Sequence, residues 1–369
     1  MEVKFSKPNI NVKDIKNVVN ILKSGWLTHG KYTQLFEKSF AAFTGAKYCT
    51  TVSSCTAGLH LSCIASGFKK GDEVIVPAMT HTATAHAVEF TGAKAVFLDV
   101  ENLTGNLNLK IISKAVTKKT KGIIVVHMAG YPSEIKKIAR FCKQKKIKLI
   151  EDCAHSVGSK ISGKHLGNFG ESGCFSFYPT KQITTGEGGV VITNNKSFFK
   201  KIKKLKAFGI NKDINERKKQ GEYDVESLGY NYRMTDFQSA LGLGQLKNYK
   251  MNLKKRHKIA QRYIKNLKSE NKISFLKFSK NCSYFIFQVF VKNRDKILKI
   301  LKEKRIGVSV HYATPLPLMT YYKKKYNLNK KNFVNSVRYA KCNISLPNHP
   351  FLKNNEIDYI CDTIKKNIQ

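Results

Sequence analysis

The sequence predicts an α/β protein, with a large domain on a mostly parallel sheet and a smaller C-terminal α/β domain. Three observations predict this. Over the first 200 residues, short runs rich in Val, Ile and Phe alternate with segments of helical length and periodicity. A long helical pattern then covers 236–268. Beyond it, about 274–369, strand and helix signals resume in a shorter unit. A length of 369 residues suits two domains, divided here as 1–250 and 251–369.

The predicted strands are 47–52, 73–76, 95–98, 122–126, 148–151, 173–177 and 189–193. Each is bounded by Gly, Pro, Asp or Lys. Helices are expected between them, at 56–66, 80–91, 132–145 and 197–207. Pro132 suits an early helical position, and Ile135, Ile138, Ala139 and Cys142 follow at helical spacing. The polar stretch 211–226 reads as a surface loop. In the long helix, Leu241, Leu243, Leu246, Tyr249 and Leu253 carry the pattern. The last unit should hold strands at 284–291 and 308–311 and helices at 294–304, 334–341 and 356–366. There is no internal repeat.

Composition excludes several classes. Apolar residues make up 42% and aromatic residues 11%, enough for a core and too many for a disordered chain. No uncharged apolar run reaches the ~18 residues of a membrane span. Residues 1–20 mix charged and apolar positions and lack a signal-peptide stretch, so a cytoplasmic protein is expected. Lys and Arg number 66 against 25 Asp and Glu, a net charge of +41. That value raises the possibility of nucleic acid or an anionic membrane, but the lysines are spread along the whole chain. They read as solvated helix faces, and neither partner is expected. A general attraction for anionic substrates remains. The nine cysteines form no C-x-x-C pair, which predicts reduced thiols and no metal site.

Three segments carry chemistry. In GCFSFYPTKQITTGEGGVV, residues 173–191, an apolar strand ends at Ser176, Phe177 and Tyr178. Lys181 follows in a loop and is the sole basic residue between Gly167 and Thr193. A lysine among apolar and small residues has a lowered pKa and can act as a nucleophile. Asp152 stands at the carboxyl end of a predicted buried strand, where open α/β sheets bind ligands. A buried carboxylate there needs a cationic or hydrogen-bonding partner. Ser53, Ser54, Cys55, Thr56 and Ala57 join a strand to a helix, and such a helix start is a natural phosphate site. A phosphate-binding turn, a strand-end aspartate and a loop lysine 29 residues later follow the order of a pyridoxal phosphate enzyme of the aspartate-aminotransferase fold, fold type I.

The chain resembles the DegT/DnrJ/EryC1/StrS sugar aminotransferases along nearly its full length. The matching stretches are SGWLT from Ser24, GDEVIVP from Gly71, EDCAHSVGS from Glu151, SFYPTKQITTGEGG from Ser176, GYNYRMTDFQSALGLGQL from Gly229 and SLPNHPFL from Ser345. The resemblance implies that Lys181 forms the Schiff base with the cofactor and carries the proton during transfer. It implies that Asp152 partners the pyridine nitrogen and that His155 lies beside the ring. Thr56 and Ala57 match the phosphate-binding turn, with Cys55 as a small apolar residue within it and Ser176 adding a hydroxyl. His81 occupies a position where relatives carry a stacking aromatic residue. Asn231 matches an asparagine that reaches the phosphate from a neighbouring subunit, which implies a homodimer with shared active sites.

The same resemblance implies that L-glutamate is the donor, that 2-oxoglutarate leaves, and that pyridoxamine phosphate aminates a nucleotide-linked keto sugar. TTGEGG after the lysine resembles enzymes acting at C4 of 4-keto-6-deoxy sugars. Gly229–Arg233 and the ALGLGQL stretch are similar to the 4-aminotransferases of a UDP-linked, pseudaminic-acid-type pathway of surface glycan synthesis, with UDP, dTDP and GDP all open as the nucleotide. Trp26, Leu27, Glu187, Arg233, His311 and Tyr312 are the expected substrate contacts. The alternatives are a C3-specific aminotransferase and a non-catalytic regulator or binding protein of the same fold. A dehydratase using pyridoxamine phosphate is disfavoured because Lys181 is present.

Overall fold

Helices absent from the predicted set open the chain. The computed structural model describes residues 1–212, 219 and 221–368. Of the loop expected at 211–226, residues 213–218 and 220 lie outside the described residues. Helix α1 (Val12–Ser24) starts with a capping box, Asn11 with Asp14, and stops at Gly25. Helix α2 (Lys31–Thr44) buries Phe36, Phe40 and Thr44.

The alternation then proceeds largely as expected. Strand β1 (Tyr48–Val52) leads to α3 (Cys55–Ala65), β2 (Glu73–Pro77) to α4 (Thr82–Glu89), and β3 (Lys94–Leu98) to α5 (Leu109–Ala115). Next come β4 (Thr120–Val126), α6 (Ile135–Lys145) and β5 (Lys148–Asp152). A short hairpin, β6 (Lys160–Ile161) and β7 (Lys164–His165), precedes β8 (Ser172–Ser176), β9 (Gly189–Thr193) and α7 (Lys196–Leu205). The long α8 (Asp236–Leu267) follows. The remainder holds β10 (Ser274–Phe275), β11 (Phe287–Phe290), α9 (Arg294–Glu303), α10 (Thr320–Tyr326), α11 (Val334–Cys342), β12 (Asn343–Leu346) and α12 (Asn354–Asn367).

Seven strands form the main sheet in the order β1-β9-β8-β5-β4-β2-β3. Strands β8, β5, β4, β2 and β3 are mutually parallel, and β9 runs antiparallel to both β1 and β8. The carboxyl ends of β1, β5 and β8 therefore lie on one edge: Val52 and Ser176 both pair with Gly189, and Asp152 pairs with Cys174. Two apolar layers hold this frame, one on each face, and α2 packs under it through Phe40, whose ring lies 5.2 Å from Phe175 and 5.7 Å from Phe177. Glu151, fully buried, accepts from the amides of Gly167 at 2.8 Å, Phe169 at 2.6 Å and Gly170 at 2.9 Å and lies 3.2 Å from His127 Nε2. One carboxylate thus folds the 167–170 loop onto the sheet.

The smaller sheet is antiparallel, β10-β11-β12. Its core takes in Val3, which bonds Arg305 O and Gly307 N at 2.9 and 2.7 Å. The expected division between 250 and 251 falls inside α8. The strand expected at 308–311 is reduced to one bridge, Ser309 with Ser345. Side chains replace the ladder there: Asn343 Oδ1 accepts from His311 N–H at 3.1 Å, and Gln288 Nε2 donates to His311 O at 3.4 Å. The strand expected at 284–291 shortens to β11 because Tyr284 takes a φ of +47° and the Phe285 amide donates to Ala129 O instead. Among the described residues, no helix is long and apolar enough to cross a membrane.

Candidate active site

Lys181 sits on the loop that turns β8 back into β9. Hydroxyls and amides of the loop's own sequence fix it. Thr185 N–H donates to Phe177 O at 2.9 Å, Thr184 Oγ1 donates to the same carbonyl at 3.0 Å, and Gln245 of α8 brackets both backbone groups of Thr184. Helix α8 can come this close because Gly242 has no side chain. A Cβ there would lie 2.7 Å from Phe36 Cζ and 3.0 Å from Thr185 Cγ2. Thr184 and Thr185 are buried, so the TT of TTGEGG holds the lysine's loop.

The Lys181 ammonium lies 4.5 Å from the centroid of the Phe285 ring. Desolvation drops its pKa from 10.5 to about 8, against the opposing pull of the neighbouring Cys55 and Asp152. Asp152 ends β5 and is buried. Thr84 Oγ1 donates to its Oδ2 at 2.8 Å and the Ala154 amide donates to its Oδ1 at 3.1 Å. Each carboxylate oxygen has two lone pairs, so Oδ2 keeps an acceptor site for a further donor.

Helix α3 begins beside them. The Ser54 side chain caps it by accepting from Ala57 N–H at 3.1 Å. The amides of Cys55 and Thr56, at the first two helical positions, have no intrahelical acceptor and form an anion-binding start. Gly189 permits this approach: a Cβ there would lie 2.7 Å from Cys55 N and from Phe175 O. Ser176 closes β8 at the same edge.

A histidine wall faces the lysine. His155 stacks on Phe285 at 4.5 Å and accepts at Nδ1 from Ala129 N–H at 3.4 Å, which leaves Nε2 facing the Tyr312 hydroxyl at 3.5 Å. Burial, aided by the Lys181 charge, holds His155 well below its usual pKa, so it is neutral. His311 pairs with Ser345 Oγ at 2.9 Å, and burial pulls its pKa down to about 3. Burial also pushes the Tyr312 phenol up, so it remains protonated. His81 caps α4 through Nδ1, which accepts from Ala83 N–H at 3.2 Å, and its ring lies 5.9 Å from that of Tyr312.

The chain thus brings together Lys181, Asp152, His155, His81, His311, Tyr312, Cys55, Thr56, Ala57 and Ser176. It does not bring the other expected residues to Lys181. Trp26 and Leu27 are 55% and 40% exposed on the stretch between α1 and α2. Arg233 lies against Phe208, in a cleft it shares with His29 and Gly30. Glu187 is exposed, and its carbonyl accepts from Thr185 Oγ1 at 2.6 Å and Gln238 Nε2 at 2.8 Å. Asn231 is exposed too, one residue before Tyr232, whose carbonyl accepts from Ser53 N–H at 2.8 Å.

Sequence reasoning missed Phe285, Thr84 and Gln182. Gln182 Nε2 donates to His155 O at 3.1 Å and Ser283 Oγ at 2.9 Å, tying the lysine loop to the histidine wall. The signal for Gln182 was its place next to the lysine. Phe285 and Thr84 gave none, since each reads locally as an ordinary strand or helix residue.

The family model described as the DegT/DnrJ/EryC1/StrS aminotransferase family matches residues 8–365. A GDP-perosamine synthase of Escherichia coli is 35% identical over 366 residues, 98% of this chain and 97% of that protein. A UDP-4-amino-4,6-dideoxy-N-acetyl-beta-L-altrosamine transaminase of Campylobacter jejuni is 33% identical over 372 residues, 98% of this chain and 96% of that one. The structure is similar to that of Spr1654 of Streptococcus pneumoniae, named a sugar aminotransferase and solved in its PLP form. The TM-score is 0.92 at 30% identity, covering 99% of this chain and 98% of the other.

Proposed function

The chain belongs to the DegT/DnrJ/EryC1/StrS aminotransferase family, and on that premise we propose that it moves an amino group from L-glutamate to C4 of a nucleotide-linked 4-keto-6-deoxy-hexose, with pyridoxal 5′-phosphate as cofactor. The observation that carries this reading is the juxtaposition of Lys181, its pKa lowered to about 8, with the buried carboxylate of Asp152. The residues fit the cofactor. Asp152 Oδ2 has an acceptor site left for a ring N–H. The start of α3 offers amides for a phosphate, in a cradle that a Cβ at Gly189 would fill.

Bound there, pyridoxal phosphate supplies an aldehyde that receives the amino group and a ring that delocalises the electron pair released at the neighbouring carbon. The chain's own groups do the rest. Cys55 and Thr56 amides, with Ser176, bind the phosphate. Asp152 keeps a proton on the ring nitrogen, and Thr84 fixes the angle of its carboxylate. Lys181 takes the proton from the substrate carbon and returns it one position along. Neutral His155 and protonated Tyr312 offer hydrogen bonds without adding charge beside the ring.

The C4 assignment draws on the Campylobacter relative, whose name carries a 4-amino-4,6-dideoxy sugar on UDP, and on the TTGEGG stretch. A UDP-linked acceptor is supported by the UDP in that name, and the pseudaminic-acid type by the resemblance of Gly229–Arg233 and ALGLGQL. The exposed positions of Trp26, Leu27 and Asn231, with Arg233 half-buried in a cleft beside Gly30, suit a homodimer in which one chain completes the other's site. The test is amino transfer from 15N-labelled L-glutamate to a UDP-4-keto-6-deoxy sugar, with the product read by NMR. Nitrogen at C4 is expected. Nitrogen at C3, or none, overturns the assignment.

Two further results are expected. Lys181 reacts as the free amine, so capture of added pyridoxal phosphate should slow about tenfold per pH unit below about 8 and level off above it, as read by stopped-flow absorbance. A rate that goes on rising about tenfold per unit to about pH 10 contradicts a lowered Lys181 pKa. Gly189→Ala overpacks the start of α3 at a cost of about 1–3 kcal/mol. If that cost falls on the phosphate cradle, the Kd for pyridoxal phosphate rises roughly 10- to 100-fold. Unchanged affinity contradicts the placing of the phosphate there.

A further inference from the structure

We propose a second ligand site, for a small organic anion, in a cleft where the C-terminal unit meets the loop after β3. It is bounded by the loop after β3, the β10–β11 region and α11. The cleft encloses about 410 Å³, within the range of sites that hold small molecules. Lys272, Lys292 and Arg338 line it, and among the described residues lining it there is no carboxylate. Several other lysines meet an acidic partner, as Lys94 does with Glu73 and Lys148 with Glu171. Three cations around one concavity focus a positive field that an anion relieves. Phe290 and Tyr339 supply an apolar floor for the body of the ligand.

The floor of this cleft is tied to the active site. Tyr339 Oη donates to Gln288 Oε1 at 2.8 Å, and Gln288 Nε2 donates to the carbonyl of His311 at 3.4 Å. Asn343, directly after α11, donates to Tyr339 O at 2.8 Å and accepts from His311 N–H at 3.1 Å. At its other end α11 is held to the main sheet, since Asp99 accepts from Asn335 N–H at 2.9 Å and Ser336 N–H at 2.8 Å. Helix α11 therefore spans from the end of β3 to the segment that carries His311 and Tyr312. An anion joining Arg338 to Lys272 and Lys292 fixes α11 against the small sheet and restrains both active-site side chains. Binding there changes the rate of amino transfer from outside the catalytic cleft.

The test titrates the cofactor-loaded enzyme with 1-anilinonaphthalene-8-sulfonate, a sulfonate on an aromatic body, followed by fluorescence. Saturable binding is expected, weakened at least tenfold by combined Lys292→Glu and Arg338→Glu and unchanged by Lys181→Ala. Equal affinity in the wild type and the charge-reversed variant overturns the site, as does loss of binding in Lys181→Ala. These results do not depend on the transfer reaction, so they stand apart from the proposed function. Saturating probe should also change the wild-type rate at least threefold. It should change the rate of Tyr339→Phe less than that of the wild type, because that variant keeps the cleft and the Asn343 tie and loses the hydroxyl that reaches Gln288. Binding without a rate change in the wild type overturns the coupling.

Discussion

Lys181→Ala should lower amino transfer by roughly 10⁴-fold or more, while the protein folds and still takes up pyridoxal phosphate without a covalent bond. Two roles are lost at once. The amine that holds the cofactor goes, and so does the base that moves the proton. Because one group performs both, the loss falls on kcat and is not relieved by more cofactor. Folding should survive, since Lys181 is a partly buried side chain resting on one ring, Phe285. The loop keeps its other ties: Thr184 and Thr185 to Phe177, Gln245 to Thr184, and Gln182 to His155 and Ser283. The measurement is single-turnover transfer with L-glutamate, alongside thermal unfolding. Substantial activity in the folded variant contradicts the role given to this lysine.

Asp152→Asn should cost roughly 10²–10³-fold in kcat, the range seen when one preorganised polar group is removed from an active site. The substitution keeps size and shape. Thr84 Oγ1 and the Ala154 amide, at 2.8 and 3.1 Å, retain a polar neighbour. What disappears is the negative charge that keeps a proton on the ring nitrogen. Stability should therefore change little while the rate collapses. Thr84→Val should show a milder loss of about tenfold, because it removes a hydrogen bond that orients the carboxylate and leaves the charge. Equal effects of Asp152→Asn and Thr84→Val would mean that position matters and charge does not.

Much of the main sheet was legible because its strands are short apolar runs with breakers on both sides. The helix at 80–91 is shorter at both ends, since His81 serves as the cap, α4 begins at Thr82 and it stops at Glu89. Helix α1 was missed, although Val12, Ile15, Val19 and Leu22 fall at helical spacing. Val12, Ile15 and Leu22 are 82%, 55% and 53% exposed, and the helix buries Asp14 and Ile21 instead. The strand at 308–311 failed for a different reason. Its local pattern suits a strand, but the side chains of Gln288 and Asn343 occupy the backbone groups that a ladder would use.

The site divides in a similar way. Lys181 stood out by isolation in a lysine-rich chain, and Asp152 by its place at a strand end. The turn at Cys55–Ala57 could be read as a helix start, although that signal alone is common. Phe285 and Thr84 could not be read, because their importance lies in what they touch across the fold. The family likeness supplied His155, His311 and Tyr312, and the fold gathers these around the lysine. It also supplied Asn231, Arg233 and Trp26, which a single chain leaves elsewhere.

The most direct measurement is the visible absorption spectrum of the purified protein with pyridoxal phosphate, before and after L-glutamate is added. The band of lysine-bound cofactor should form in the wild type, bleach with glutamate, and return when a UDP-4-keto-6-deoxy sugar is supplied. A band that forms but ignores glutamate contradicts the donor. A wild-type protein that forms no such band contradicts the account at its centre, the reaction of Lys181 with the cofactor.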